Sequence, residues 1–317
     1  MNAPIPNAPI LSLSTVTTNG TTLNVASGGE GPAVLLMHGF PHTWRVWSPI
    51  LDGLVAGHRV IAPDLRGLGD SARASDGYDA GNLARDMLGV LEAFGETSAV
   101  VVGLDAGGPP AFLLGLEHPE LVDGLVLIES TIGRLPGADE FFRAGPPWWF
   151  GFHAVPGLAE AVLAGQEEAY VDFFLRIGTA DGKGIDAGIR DAFVEAYRRP
   201  DSLRCAFEYY RAMPTSARQI DEAVRRHRLT VPTLTVGGGV VGDATAQQLG
   251  PIADDLTSRL ISTSGHIVPL DAPEELAGLL KRFLDGLGET DGLEGLERLE
   301  RLGGEPGQAA RAMRPRA

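Results

Sequence analysis

Cysteine is almost absent: Cys205 is the one thiol in 317 residues. It can form neither an intrachain disulfide nor a cysteine-based zinc cluster, and a reducing compartment is expected. Lysine is nearly absent too, with 24 arginines but only Lys183 and Lys281. Acidic residues outnumber basic ones, 41 to 26, for a net charge of −15. Such a chain repels phosphate backbones and anionic lipid heads, which argues against nucleic-acid and polybasic membrane roles. No run of about 18 uncharged apolar residues occurs, so no helix is expected to cross a membrane. Residues 1–15 have no basic segment ahead of their apolar residues. A secretory signal is therefore not expected, and a cytoplasmic location is. What the chain does have is apolar material: 44% of residues are hydrophobic and 21% charged. That excludes wholesale disorder, and the length suits one large domain or two.

Short apolar runs at 21–27, 33–37, 59–62, 98–102 and 125–128 read as strands, several of them buried on both faces. Residues 82–94 and 111–118 carry apolar positions at helical spacing. Strands alternating with helices predict an α/β fold with a mostly parallel sheet covered on both sides. The alternation stops near Arg134. Aromatic clusters and helical stretches follow until strand signals return at 230–236 and 259–263, with a closing helix at 274–287. The expected organisation is a sheet domain of residues 1–133 and 225–288, a helical insertion of 134–224, and a tail of 289–317. In that tail Leu293, Leu296, Leu299 and Leu302 suit a short amphipathic helix, and the composition equally suits disorder.

Three segments point to chemistry. The run Val100-Val101-Val102-Gly103-Leu104-Asp105-Ala106-Gly107-Gly108 takes a buried strand through Gly-x-Asp-x-Gly into a helix. This is the pattern of a nucleophile elbow, in which a tight turn lifts one side chain above the sheet edge. A carboxylate there can attack carbon and form an ester. The same pentapeptide also fits a plain junction with a capping Asp. Met37-His38-Gly39-Phe40-Pro41 follows a strand, where a turn can aim the Phe40 N–H at the same pocket. With the Ala106 N–H it would form an oxyanion hole. Ser264-Gly265-His266 follows the last strand, a suitable place for a general base. His38 is read as shaping its loop, and His42, His58, His118, His153 and His227 as structural. His266 needs an acid to orient it. Glu129 closes one strand and Asp243 follows another; Glu129 is preferred because it stands directly at a strand end.

In this order the motifs resemble the α/β-hydrolase fold, and an Asp at the nucleophile position resembles its epoxide hydrolase and dehalogenase branch. Trp44, Trp47 and Pro63-Asp64-Leu65-Arg66-Gly67-Leu68-Gly69-Asp70-Ser71 add to the likeness, which covers about residues 15–288. The resemblance implies that the insertion is a cap and that cap side chains hold the leaving atom. The segment Glu208-Tyr209-Tyr210-Arg211 then supplies Tyr210, or its neighbour Tyr209, as one donor. Trp148-Trp149-Phe150 puts Trp149, with Trp148 beside it, where a tyrosine is common. An indole donates a hydrogen bond but gives up no proton at neutral pH. Ala106 stands where haloalkane dehalogenases carry a halide-holding Trp. The stretch Ala106-Gly107-Gly108-Pro109-Pro110 lacks the arginines of fluoroacetate-type enzymes. Leu104 replaces the usual His before the nucleophile. The resemblance therefore implies an epoxide hydrolase first, a dehalogenase second and a non-catalytic ligand-binding protein third. The expected substrate is a bulky or aromatic small molecule. No metal or organic cofactor is expected, and the chain would act as a monomer or homodimer.

Overall fold

The computed structural model describes residues 11–181 and 185–301, and only the backbone of 289–301. One compact unit spans Met1–Ala277, and Gly278–Ala317 forms a second. The first holds an eight-stranded sheet in the order β1-β2-β4-β3-β5-β6-β7-β8. Its strands are β1 (Ser12–Thr18), β2 (Thr21–Gly28), β3 (Ala33–Met37), β4 (Arg59–Pro63), β5 (Ala99–Leu104), β6 (Val122–Ile128), β7 (Thr233–Gly237) and β8 (Leu256–Leu260). Strand β2 runs against both neighbours, and every other pairing is parallel.

Every residue of β3 and β5 is buried, so these strands read as unbroken apolar runs rather than alternating ones. Around the sheet lie α1 (Ser48–Val55), α2 (Ala80–Phe94) and α3 (Gly108–Glu117). Asp79 caps α2 by accepting from the Asn82 N–H, and Gly95 ends it at φ 72°, where a side chain would be strained. Between β6 and β7 lie α4 (Trp148–Ala154), α5 (Leu158–Leu163), α6 (Glu167–Gly178), α7 (Ala187–Arg198) and α8 (Ser202–Val224). The order closes with α9 (Ala244–Leu249), α10 (Val268–Asp271) and α11 (Pro273–Arg301). Among the described residues, no helix is long and apolar enough to cross a membrane.

Two expectations shift. The strand expected at 259–263 is β8, Leu256–Leu260, and β1 had no counterpart in the sequence reading. Both are sheet-edge strands with mostly exposed residues, so neither presents a continuous apolar run. In the tail, α11 carries the backbone to Arg301; Leu302 and the rest lie outside the described residues.

The loop after β4 is held by buried ionic contacts. Arg66 bonds Asp86 of α2 through two nitrogens, at 2.8 and 2.6 Å, and Asn19 donates to the same carboxylate at 2.8 Å. Removing one member of a buried pair strands the other charge. Asp86→Ala is expected to cost about 3–5 kcal/mol, read as a lower midpoint in urea unfolding.

Candidate active site

Asp105, Glu129 and His266 come together at the carboxyl ends of the sheet strands, where ligands of open α/β sheets bind. Asp105 leaves β5 at φ 50°, a left-handed conformation that costs a non-glycine residue energy. Close packing holds it there. A side chain on Gly107 would meet the Met37 and His38 carbonyl oxygens at 2.5 and 2.7 Å, and one on Gly39 would meet Asp105 itself. The Ser130 hydroxyl donates to the Asp105 carbonyl at 2.7 Å.

The Phe40 N–H donates to Asp105 Oδ1 at 2.8 Å, and the Ala106 N–H bonds the same carboxylate. His266 Nε2 lies 3.2 Å from Asp105 Oδ2, and its Nδ1 lies 3.0 Å from Glu129 Oε2. Burial alone would push the Asp105 carboxyl up. The hydrogen bond and charge of His266, with the two backbone N–H groups, hold it below the ordinary carboxylate range. His266 shows the complementary effect: burial disfavours its charge, but Asp105 and Glu129 outweigh burial and raise it to about 10. The resting site therefore holds an imidazolium between two carboxylates.

Of the two candidate acids, the structure brings Glu129 and not Asp243 to His266. Glu129 is buried and accepts from the N–H groups of Gly238, Val241 and Gly242 at 2.5, 2.9 and 3.0 Å. The Gly-rich loop after β7 thus wraps the Glu129 carboxylate with backbone donors instead of offering its own acid. Asp243 is exposed at the start of α9 and accepts from Gln247 Nε2 at 2.8 Å. The loop carrying His266 is pinned in turn: the His266 and Ile267 N–H groups donate to the Gly178 carbonyl at 2.7 and 3.0 Å. Asp271 accepts from the Gly265 and Ala180 N–H groups at 2.7 and 2.9 Å. Sequence reasoning missed Gly178 and Asp271, because no local motif links the end of α6 to a loop nearly 90 residues later.

Asp105, Glu129 and His266 face a cavity of about 360 Å³ lined by Trp149, Phe150, Phe174, Tyr210, Met213 and other mostly apolar residues. Tyr210 is buried and its ring meets Phe40 edge-on at 5.7 Å. Its hydroxyl has no hydrogen-bond partner among the described residues, and burial and the Asp105 charge push it well above its ordinary range. Pro214, one turn on, lacks the N–H that the Tyr210 carbonyl would accept in an unbroken helix, and it also lines the cavity. Two expected donors are placed otherwise. The Tyr209 hydroxyl is spent on the Arg66 carbonyl at 2.8 Å, so only its ring contributes to the cavity wall. Trp148 is 56% exposed and absent from the lining, because its ring packs outward against Trp149, Phe152 and Phe173.

His153, read from sequence as structural, packs against Tyr210 with ring centroids 4.3 Å apart and stacks on Phe207 at 4.2 Å. Its Nε2 shares a 2.6 Å hydrogen bond with the Tyr170 hydroxyl, whereas Nδ1 has no partner among the described residues. Burial and the Arg211 charge lower it to about 3, so the ring is neutral. A signal existed: histidine is a poor choice for packing alone inside the aromatic run Trp148-Trp149-Phe150-Gly151-Phe152.

Comparison with known proteins bears on the family and the fold. A family model described as the alpha/beta hydrolase fold matches residues 32–157. An AB hydrolase superfamily protein, YfhM of Bacillus subtilis, is 34% identical over 62% of this chain and 72% of its own length. The chain belongs to the α/β-hydrolase family. A soluble epoxide hydrolase of Corynebacterium sp. is 26% identical over 81% of this α/β-hydrolase and 91% of its own length. A fluoroacetate dehalogenase of Burkholderia sp. is also 26% identical, over 83% and 90%. The crystal structure of Cfl2 from Burkholderia cenocepacia superposes with a TM-score of 0.80 at 29% identity, covering 88% of this chain and 97% of that one. Among its known relatives, this α/β-hydrolase therefore stands with hydrolases that act on small molecules.

Proposed function

We propose that this α/β-hydrolase opens epoxides through an ester on Asp105, giving a vicinal diol. One observation carries the reading: an ionised carboxylate held between two backbone N–H groups and a histidine–carboxylate pair, inside an apolar cavity that also presents a phenol without a partner. Asp105 attacks an epoxide carbon and the carbon–oxygen bond of the ring breaks. Tyr210, with the His153 ring packed against it, protonates the departing oxygen, and the Trp149 indole adds a hydrogen bond. Helices α4 to α8 serve as a cap over the strand ends.

Ester formation cancels the Asp105 charge, which is one of the forces holding the proton on His266. With that charge gone His266 can release its proton to solvent and act as a base, oriented by Glu129, and it takes a proton back once the Asp105 carboxylate is restored. Water then attacks the ester carbonyl, and the Phe40 and Ala106 N–H groups stabilise the oxyanion. The proton that leaves during hydrolysis restores the Tyr210 phenol. Ring strain supplies driving force, so the protein chiefly positions groups and stabilises charge.

The test is interception. His266→Gln incubated with aryl epoxides should accumulate an adduct of enzyme plus epoxide on the peptide carrying Asp105, read by intact mass and peptide mapping. Absence of an adduct with an epoxide that the wild type turns over rejects the covalent route.

The aromatic lining supports a bulky or aromatic substrate. A polycyclic epoxide soaked into crystals should occupy the cavity, and its exclusion rejects that preference. Likeness to a fluoroacetate dehalogenase supports a second reading, attack on a carbon–halogen bond by the same Asp105. Segment 106–110 offers no arginine to clamp a carboxylate. Halide release from fluoroacetate without diol formation from epoxides would favour this second reading.

A further inference from the structure

His42 lies two residues beyond Phe40, in a turn closed by its own N–H donating to the Gly39 carbonyl at 3.0 Å. Its side chain is fully buried and lines the cavity beside Asp105 and His266. Neither ring nitrogen has a hydrogen-bond partner among the described residues. The ring faces Phe193 of α7, 5.5 Å away between centroids, so its other side is closed by an apolar neighbour. Burial lowers it to about 3, against the opposing pull of Asp105, so the ring is neutral and carries one donor and one acceptor.

Two orphaned nitrogens on one buried ring are costly and rare. Packing does not require them, since a phenylalanine would fill a similar volume at no such cost. A ring nitrogen opening on a polar corner of a cavity is a natural water ligand, provided that the water finds further partners. Those partners are present: His266 Nε2 and the Asp105 carboxylate border the same space.

We infer that His42 holds the water that hydrolyses the Asp105 ester. The inference rests on the two-step route proposed above. One water hydrogen bonds the acceptor nitrogen of His42 while the other points at His266 Nε2, which leaves a lone pair free for the ester carbon. His266 takes its proton as the bond from water oxygen to Asp105 Cγ forms. The bond from Cγ to the product oxygen then breaks, and that oxygen receives the proton from His266. Asp105 is left as a carboxylate carrying the water oxygen, and the remaining proton of the attacking water is released. His42 neither gains nor loses a proton; it is a positioning residue.

The experiment separates the two half-reactions. Wild type, His42→Phe and His42→Gln are mixed in excess over aryl epoxides, beginning with styrene oxide, and ester formation and decay are followed by rapid quench and intact mass. Ester formation is expected within about twofold of wild type in both variants. Decay should slow at least about tenfold in His42→Phe, and His42→Gln, which keeps an acceptor and a donor, should recover most of it. Unchanged decay in His42→Phe, or equal slowing of formation and decay, overturns the inference. Should His42→Phe fail to fold, a wild-type crystal structure that resolves waters decides. A water within about 3.2 Å of both a His42 nitrogen and His266 Nε2 supports the inference, and its absence overturns it. If no ester forms even with His266→Gln, the covalent route itself falls; an ester that decays normally removes only the role of His42.

Discussion

Asp105→Ala is expected to lower turnover by about 10⁴-fold or more while leaving the protein folded. The loss follows from the two-step route: with no carboxylate there is no ester, and His266 has nothing to hydrolyse. Folding should survive because Asp105 is a site of stored strain rather than of support. It sits at φ 50° and approaches Gly39 so closely that no side chain fits there. Truncation relieves crowding and removes one buried charge, although it also leaves His266 with Glu129 as its one carboxylate partner. Diol formation measured beside a circular-dichroism melt checks both halves. Activity within tenfold of wild type would show that Asp105 is not the nucleophile. Ligand binding that Asp105→Ala leaves unchanged, in a wild type that turns over no epoxide or halide, would favour a non-catalytic binding protein.

Glu129→Gln is the second large effect, expected at about 10²–10⁴-fold in turnover. The carboxylate accepts from three backbone N–H groups and from His266 Nδ1, and an amide cannot accept at all these points. A glutamine NH₂ must face a donor, either the loop or the imidazole. Either choice loosens the ring or reverses its tautomer. The pH signature is specific. Glu129 is one of the groups that raise His266 to about 10, so its replacement lowers the pH at which the resting imidazolium loses its proton. NMR titration of the His266 ring in wild type and variant reads that shift directly. Asp243→Asn should leave both turnover and titration unchanged, because its partner is Gln247 on the surface.

The same charges set a pH window for stability. His266 is raised on folding, so its contribution is complete below the unfolded value of about 6.5 and is lost as pH climbs through about 10. Asp105 is lowered on folding, so its contribution is present above about 3.9 and is lost as pH falls through its folded value. Unfolding free energy should therefore hold a plateau between about pH 3.9 and about 6.5, and fall from there until about 10. In Asp105→Ala the alkaline edge should move down, which denaturant melts across pH would show.

Local pattern determined much of this protein. The buried strands β3 and β5 are legible because each residue faces a covered side, and a run of apolar residues is the only sequence that satisfies both faces. Asp105 is legible because Gly103, Gly107 and Gly108 around one acid have few other uses, and His266 because it follows the last strand on a short loop. The missing strand pattern after Arg134 likewise agrees with the helices that lie between β6 and β7.

Tertiary structure decided the rest. Sequence order admits either Glu129 or Asp243 as the partner of His266, since both follow strands. Only the folded loop, with the N–H groups of Gly238, Val241 and Gly242 turned onto one carboxylate, separates them. Tyr209 and Tyr210 are adjacent in sequence, yet a helix points neighbouring residues about 100° apart, so one phenol meets the Arg66 carbonyl and the other the cavity. His42 carries no motif at all, and His153 is marked only by the aromatic run before it. Their significance lies in which nitrogens lack partners, a property of packing among residues far apart in the chain, and hydrophobic periodicity holds no record of it.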